Sequence, residues 1–215
     1  MDSLLASPAH SHCALNSLVA GVDEAGRGCL AGPVVAACVV LPADVGAKGL
    51  PLFIRDSKKL SPAQREQACR WIYRHALVVS VGLATVAEIE QLNILQASLL
   101  AMRRCVESSP VPLHMVLVDG SHVPAGLPYP VQAVINGDEL VPVISAASIV
   151  AKVVRDHLMA QLDRLFPQYG FARHKGYATL QHRQAIARFG LCPQHRPSFC
   201  AHQPCLPLEN RDGQP

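Results

Sequence analysis

The chain has 215 residues, a length that suits one domain, and half of them are hydrophobic, which is enough to bury a sizeable core. Charged residues make up only 16%, which argues against global disorder, and the net charge of +3 permits nucleic-acid binding without predicting it. The first 18 residues lack the basic start and apolar run of a signal peptide, and no apolar stretch is long enough to span a membrane. We therefore expect a soluble cytoplasmic protein whose eight cysteines stay reduced.

The first half of the chain begins with an unpatterned segment, residues 1–17, which we predict to be a flexible arm. After it, apolar runs alternate with segments of helical periodicity, and Ser61 with Gln64 has the pattern of a capping box. The predicted elements are strands at 18–22 and 33–41, a helix at 61–75, a strand at 77–86 and a helix at 87–106.

The second half alternates strands with helices more regularly. The predicted elements are strands at 115–118 and 131–135 and helices at 145–165 and 179–189. This order predicts an α/β fold whose sheet is covered by helices on both faces. Residues 201–215 are predicted to be a disordered tail. The tail region is rich in Cys and His but lacks a paired CxxC, so the spacing does not predict structural zinc.

Acidic residues lie at the ends of three predicted strands. Asp23 and Glu24 end the first strand, Asp119 ends the strand at 115–118, and Asp138 follows the strand at 131–135. Each of these positions taken alone is also compatible with an ordinary turn. As a set they suit Mg²⁺, which binds through carboxylates and substrate phosphates, and two such ions can support phosphodiester cleavage.

Gly26, Arg27 and Gly28 come directly after the first acidic pair. The two glycines let the backbone approach a ligand closely, and Arg27 could bind a phosphate or hold a carboxylate in place. With Gly32 the spacing is GxGxxxG rather than GxGxxG, and Pro33 opens a strand-like run where a helix should begin. The segment therefore lacks the strand–turn–helix context of a dinucleotide-binding site.

Two basic clusters are candidate contacts to nucleic acid. Ser57, Lys58 and Lys59 precede the first predicted helix and suit contact with phosphate groups. Residues 171–177 interleave basic and aromatic side chains, which can hold a backbone and stack on a sugar or base, and Tyr177 closes this cluster. An ordinary charged surface loop explains either cluster about as well.

Taken together and in this order, the motifs resemble those of the type 2 RNase H family, ribonuclease HII. The resemblance extends over residues 18–200 and rests on segments 20–28, 56–60, 90–95, 118–120, 137–138, 145–156, 166–171 and 174–177. It implies an RNase H-like mixed β-sheet flanked by helices, with a small helical C-terminal portion that completes one catalytic domain over residues 18–200. Cys29 departs from the proline of many relatives, and the stretch past Phe199 is unusually rich in Cys, His and Pro.

The resemblance also implies a function. It implies an endoribonuclease that hydrolyses the RNA strand of RNA–DNA hybrids and incises duplex DNA at embedded ribonucleotides, leaving 3′-hydroxyl and 5′-phosphate ends. Mg²⁺ or Mn²⁺ would be held by the four acids, Gly26-Arg27-Gly28 would recognise the ribose 2′-hydroxyl, and Tyr177 would pack on the following sugar.

We expect the partners to be RNA–DNA hybrid and ribonucleotide-containing duplex DNA, and the protein to be a monomer. Two alternatives remain open. One is another nuclease or nucleotidyl transferase of the same fold, which would share the acids without testing the 2′-hydroxyl. The other is a nucleic-acid-binding module that has lost its metals.

Asp156 competes with Asp138 for the place of the fourth acid. Asp156 lies four residues after Lys152 on the predicted helix, so the two side chains can pair and need no metal. Asp138 lies beside Glu139, and a bound divalent ion would relieve the repulsion between them. We hypothesise that Asp138 belongs to the site and that Asp156 supports the fold.

Overall fold

The computed structural model describes residues 18–43, 45, 51 and 60–201. Its strands are β1 (Val19–Ala25), β2 (Val34–Val40), β3 (Val78–Ala84), β4 (Met115–Asp119) and β5 (Val131–Val134). Its helices are α1 (Pro62–His75), α2 (Val86–Leu92), α3 (Ile94–Glu107), α4 (Gly137–Leu140), α5 (Pro142–Leu165), α6 (Phe171–His174), α7 (Leu180–Phe189) and α8 (Pro197–Cys200), with a 3₁₀ turn at Pro167–Tyr169. The predicted arm at 1–17 and tail residues 202–215 lie outside the described residues.

The strands form one mixed sheet in the order β3-β2-β1-β4-β5. The first three strands pair antiparallel, whereas β4 runs parallel to β1 and β5 runs parallel to β4. The carboxyl ends of β1, β4 and β5 therefore lie side by side at one edge of the sheet. In α/β folds, this is the edge at which ligands bind.

Helices cover both faces of this sheet. On one face, α3 packs over residues such as Val22 and Val116, and on the other, α1 and α5 pack over Ala37 and Val39. Every residue of β2 is buried, which explains its unbroken apolar sequence. The predicted α/β layering is confirmed. No helix in the described ranges is both long and apolar enough to cross a membrane.

Helix α5 crosses β1 at very short range. A Cβ atom on Gly21 would collide with the backbone of Val143 and Ile144, so only glycine allows this approach. The helix begins at Pro142, three residues before the predicted start, since proline is well suited to the first helical turn, where its missing N–H is not needed. The crossing brings Ser148 to the end of β1, beside Asp23.

The prediction of a single helix at 87–106 is wrong, because the chain forms two helices that meet at Asn93. This residue has a left-handed φ of 69°, and its side-chain oxygen accepts hydrogen bonds from the amides of Leu95 and Gln96 at 3.0 and 3.1 Å. Asparagine adopts a positive φ more readily than most residues, and its side chain caps the new helix at the same time. The apolar periodicity continues through Asn93, which hid the break.

The C-terminal part of the described chain is a small helical portion, as predicted. It has its own apolar cluster, which includes Met159, Tyr169 and Phe171. A later segment returns to the sheet, where His195 forms an antiparallel bridge with Ala31. This bridge places residues 194–196 directly behind the loop that follows β1.

Candidate active site

Four carboxylates lie at the edge where β1, β4 and β5 end, and we call this the acidic edge. Asp23 and Glu24 are the third-last and second-last residues of β1, and Asp119 is the last residue of β4. Asp138 is in the first turn of α4, shortly after β5. The backbone amide of Asp138 donates to Asp119 Oδ1 at 3.2 Å. The structure therefore brings the four predicted acids to one edge of the sheet.

Burial and mutual repulsion make these acids unfavourable to ionise. Asp23 is only 6% exposed, and burial raises its pKa well above the usual range, with the charges of Glu24 and Asp119 adding to the shift. A hydrogen bond with Ser148 opposes this shift without cancelling it. Burial also raises the pKa of Glu24, against the lowering effect of the Arg27 guanidinium. A positive charge bound here would relieve this repulsion.

The donor set of the acidic edge suits a hard divalent cation, since it consists of carboxylate oxygens. Among the described residues, however, no three Asp, Glu, His or Cys side chains are already arranged to hold a metal ion. Asp23 Oδ1, for example, accepts from the amide of Glu24 at 2.7 Å. The backbone already places the four acids close together. Ligation of a metal ion by all four would require their side chains to rotate.

The Gly26–Gly28 turn follows the acidic pair, and its two glycines differ. Gly26 has a positive φ of 102°, and a Cβ there would overlap the guanidinium of Arg155. A Cβ on Gly28 would meet no described atom within 4 Å. Two roles were considered for Arg27, binding a phosphate and holding a carboxylate in place. Its Nη1 atom lies 3.2 Å from Glu24 Oε1, so this structure shows the contact with a carboxylate.

A cleft of about 290 Å³ opens between the acidic edge and the C-terminal portion. It is lined by Glu24, Ala25, Gly26, Arg65, Ser148, Ile149, Lys152 and Tyr177. Tyr177 is half-exposed, and its ring centroid lies 5.5 Å from Lys152 Nζ. An aromatic ring and two cationic side chains thus line a cleft that also contains a carboxylate, a combination that suits a sugar–phosphate backbone.

Sequence reasoning assigned no site role to three of the polar residues that line this cleft, Arg65, Ser148 and Lys152. Ser148 lies four residues before Lys152, so helical spacing could have placed both on the same face of α5. Nothing in the sequence distinguishes Arg65 from the other arginines of α1. The predicted phosphate contacts Ser57, Lys58 and Lys59 lie outside the described residues.

Asp156 makes the ion pair that its spacing predicts. Its Oδ1 atom lies 2.6 Å from Lys152 Nζ, and both side chains are partly buried on α5. The predicted pairing is confirmed. The choice of Asp138 over Asp156 as the fourth site residue stays a prediction.

Comparisons with known proteins agree with this architecture. The family model described as Ribonuclease HII matches residues 20–202. Over 182 residues the chain is 56% identical to the ribonuclease HII of Albidiferax ferrireducens, which covers 85% of this chain and 86% of that protein. The crystal structure of ribonuclease H2 from Pyrococcus horikoshii OT3 is similar with a TM-score of 0.69 and 27% identity, over 85% of this chain and 95% of that one.

A more distant neighbour has the same fold. The structure of Bst-RNase HIII in complex with Mn²⁺ is similar with a TM-score of 0.64 and 19% identity, over 80% of this chain and 61% of that one. The family match extends over most of the chain and includes the acidic edge, the Gly26–Gly28 turn and the cleft. The chain therefore belongs to the ribonuclease HII family and is a ribonuclease H.

Proposed function

We propose that this ribonuclease H hydrolyses the RNA strand of RNA–DNA hybrids and incises duplex DNA at embedded ribonucleotides. The observation that carries the proposal is the arrangement around one cleft of the acidic edge, the Gly26–Gly28 turn and Tyr177. The acids supply the hydrolytic chemistry, and the turn and the ring supply recognition of the sugar. Neither feature alone would select a ribonucleotide.

In the reaction, water would attack phosphorus and O3′ would be the leaving group. The P–O3′ bond breaks, O3′ takes a proton, and the products carry a 3′-hydroxyl and a 5′-phosphate. Asp23, Glu24, Asp119 and Asp138 would hold Mg²⁺ or Mn²⁺. When bound, these ions would activate the water and stabilise the leaving oxygen. The all-oxygen donor set, the burial and like-charge repulsion that raise the pKa of Asp23, and the Mn²⁺ complex of Bst-RNase HIII support this assignment.

Ribose selection would depend on the backbone of Gly26, Arg27 and Gly28. Arg27 and Gly28 are exposed beside the cleft, and the lack of a side chain at Gly28 leaves room for a sugar to approach. The 2′-hydroxyl can both donate and accept, so a close backbone contact can distinguish RNA from DNA. Tyr177 would pack on the sugar that follows the ribonucleotide.

One assay separates this proposal from its alternatives. The chain is incubated with Mg²⁺ and three substrates: a DNA duplex with one ribonucleotide, an RNA–DNA hybrid, and an all-DNA duplex. We expect cutting of the first two only, with a 3′-hydroxyl that a polymerase can extend. Cutting of plain DNA would indicate a nuclease that does not test the 2′-hydroxyl, and binding without cutting would indicate a binding module. Asp23→Asn, purified in parallel, controls for contaminating nuclease.

A further inference from the structure

Arg196 lies fully buried behind the Gly26–Gly28 turn. Its Nη2 atom donates to the carbonyl oxygens of Gly26 and Gly32 at 2.8 and 2.7 Å, its Nη1 atom to that of Arg27 at 2.9 Å, and its Nε atom to that of Gly32 at 3.0 Å. One guanidinium thus binds three carbonyl groups of the loop between β1 and β2. Burial lowers the pKa of Arg196 to about 10, which leaves it charged at neutral pH.

The position of Arg196 is itself fixed by backbone pairing. Its amide donates to the carbonyl oxygen of Leu30, and the amide of Gly32 donates to that of Gln194, both at 2.8 Å. Burying a guanidinium is unfavourable unless it is well hydrogen-bonded. Here it is satisfied by loop carbonyls, so its contacts determine the direction in which those carbonyls point.

Peptide geometry then fixes the direction of the amides on the other side of the turn. The described residues contain no cis peptide bond, and in a trans peptide the C=O and the following N–H point in opposite directions. Since the carbonyls of Gly26 and Arg27 point inward to Arg196, the amides of Arg27 and Gly28 point outward. Both residues are exposed, and neither amide donates to another described residue. The turn therefore presents two backbone donors beside the cleft.

The same C-terminal segment is also connected to Tyr177. His195 and His182 are joined through their Nε2 atoms at 3.0 Å, and His182 Nδ1 donates to the carbonyl oxygen of Tyr177 at 2.9 Å. Residues 195 and 196 thus hold both recognition elements, the Gly26–Gly28 turn directly and Tyr177 through His182. A shift of this segment would move the two elements together.

We propose that Arg196 is a positioning residue for ribose discrimination. It holds the amides of Arg27 and Gly28 in the orientation in which they bind the 2′-hydroxyl, and it does so without touching the substrate. This inference rests on the proposed function, since it states that a buried residue determines the shape of the surface that recognises ribose. Without the guanidinium, the enzyme would still bind duplexes but would distinguish ribose from deoxyribose less well.

The test compares Arg196→Lys, which keeps the charge but loses the planar fork, with the wild-type protein. Binding is measured with Ca²⁺ in place of Mg²⁺, for a duplex with one ribonucleotide and for the same all-DNA duplex. Discrimination is the Kd for the all-DNA duplex divided by the Kd for the duplex with one ribonucleotide. We expect this ratio to fall roughly tenfold in Arg196→Lys, because discrimination depends on oriented hydrogen bonds. The Kd for the all-DNA duplex should change less than about twofold. Ile72→Val and Ile72→Ala, in the core between α1 and the sheet, serve as controls for lost stability.

The outcomes distinguish this inference from the proposed function. A wild-type Kd ratio of one would refute ribose recognition itself, whereas an unchanged ratio in folded Arg196→Lys would refute only the role of Arg196. A fall of the same size in an Ile72 variant of matched melting temperature would also refute it, because general destabilisation would then suffice. If Arg196→Lys does not fold, the same two Kd values are measured for Arg196→Gln, whose planar amide keeps two N–H donors but loses the third hydrogen-bonding nitrogen of the guanidinium. An unchanged ratio of the two Kd values in Arg196→Gln would overturn the role of Arg196.

Discussion

Two groups of buried titratable side chains lie near the Gly26–Gly28 turn, and their electrostatics are opposite. At the acidic edge, burial and like charges raise the pKa of Asp23. The second group, the histidine cluster, consists of His174, His182 and His195, and burial lowers the pKa of His182 and of His195 to about 4. The acids are held close to one another in a state that favours binding of a cation, whereas the histidines are neutral and fully paired.

Hydrogen bonding accounts for the neutrality of the histidine cluster. His182 donates from Nδ1 to the Tyr177 carbonyl, so its Nε2 atom accepts from His195 Nε2, and His195 Nδ1 in turn accepts from the Cys192 amide. His174 donates to the Tyr169 carbonyl and accepts from the Gly176 amide. A proton added to His182 or to His195 would place a donor against a donor. Burial of a titratable group therefore does not mark a reactive site by itself, and an uncompensated charge is the better indicator.

The largest expected effect comes from removing one charge from the acidic edge. In Asp23→Asn, cleavage at saturating Mg²⁺ should fall roughly a thousandfold or more, because a lost metal ligand removes several kcal/mol of transition-state stabilisation. The folded-state pKa of Asp23 is raised, so its ionised form destabilises the metal-free fold at neutral pH. The melting temperature in EDTA should therefore stay equal or rise, and hybrid binding should be largely retained. Near-normal turnover would remove Asp23 from the site.

Two separate substitutions test whether Asp138 or Asp156 is the fourth site residue. Asp138→Asn should lower the cleavage rate about a hundredfold with little change in melting temperature, since it would remove a metal ligand. Asp156→Asn breaks the partly exposed ion pair with Lys152 and should cost about 1 kcal/mol of stability or less. Rates and melting curves are measured on both variants. If activity collapses only in Asp156→Asn, the fourth site residue is Asp156.

The two glycines of the turn separate recognition from folding. Gly28→Val should fold normally because its Cβ enters open space, but it should slow cutting at a single ribonucleotide by roughly 10- to 100-fold by keeping the sugar away. Gly26→Ala should lower the melting temperature, because φ is positive there and the Arg155 guanidinium occupies the space. An unchanged cutting rate in Gly28→Val would mean that the turn does not contact the 2′-hydroxyl.

The sequence allowed the acidic edge to be predicted but not the residues that support it. Asp23, Asp119 and Asp138 each follow an apolar run, and runs that become parallel strands end at one edge, so local pattern was sufficient. Arg196 binds carbonyls of residues 164 to 170 positions earlier, and backbone carbonyls carry no signal in the amino-acid sequence. The break at Asn93 was hidden because side-chain periodicity does not report φ.

The smallest expected effect concerns the pH dependence of stability. His182 and His195 titrate near 6.5 when unfolded and near 4 when folded, so the unfolded chain binds more protons between these values. Their stabilising contribution is complete above about pH 6.5 and is lost as the pH falls towards 4, which should lower the melting temperature by roughly a few degrees at pH 5. Asp23 acts in the opposite sense, because protonation relieves its repulsion.

The dependence of the wild-type melting temperature on pH is therefore compared with that of His182→Gln, in which a neutral amide replaces the central ring. His75→Gln, at an exposed histidine, is the control. His182→Gln should flatten the acid-dependent loss and His75→Gln should not. A loss of equal size in all three proteins would place the responsible groups outside the histidine cluster.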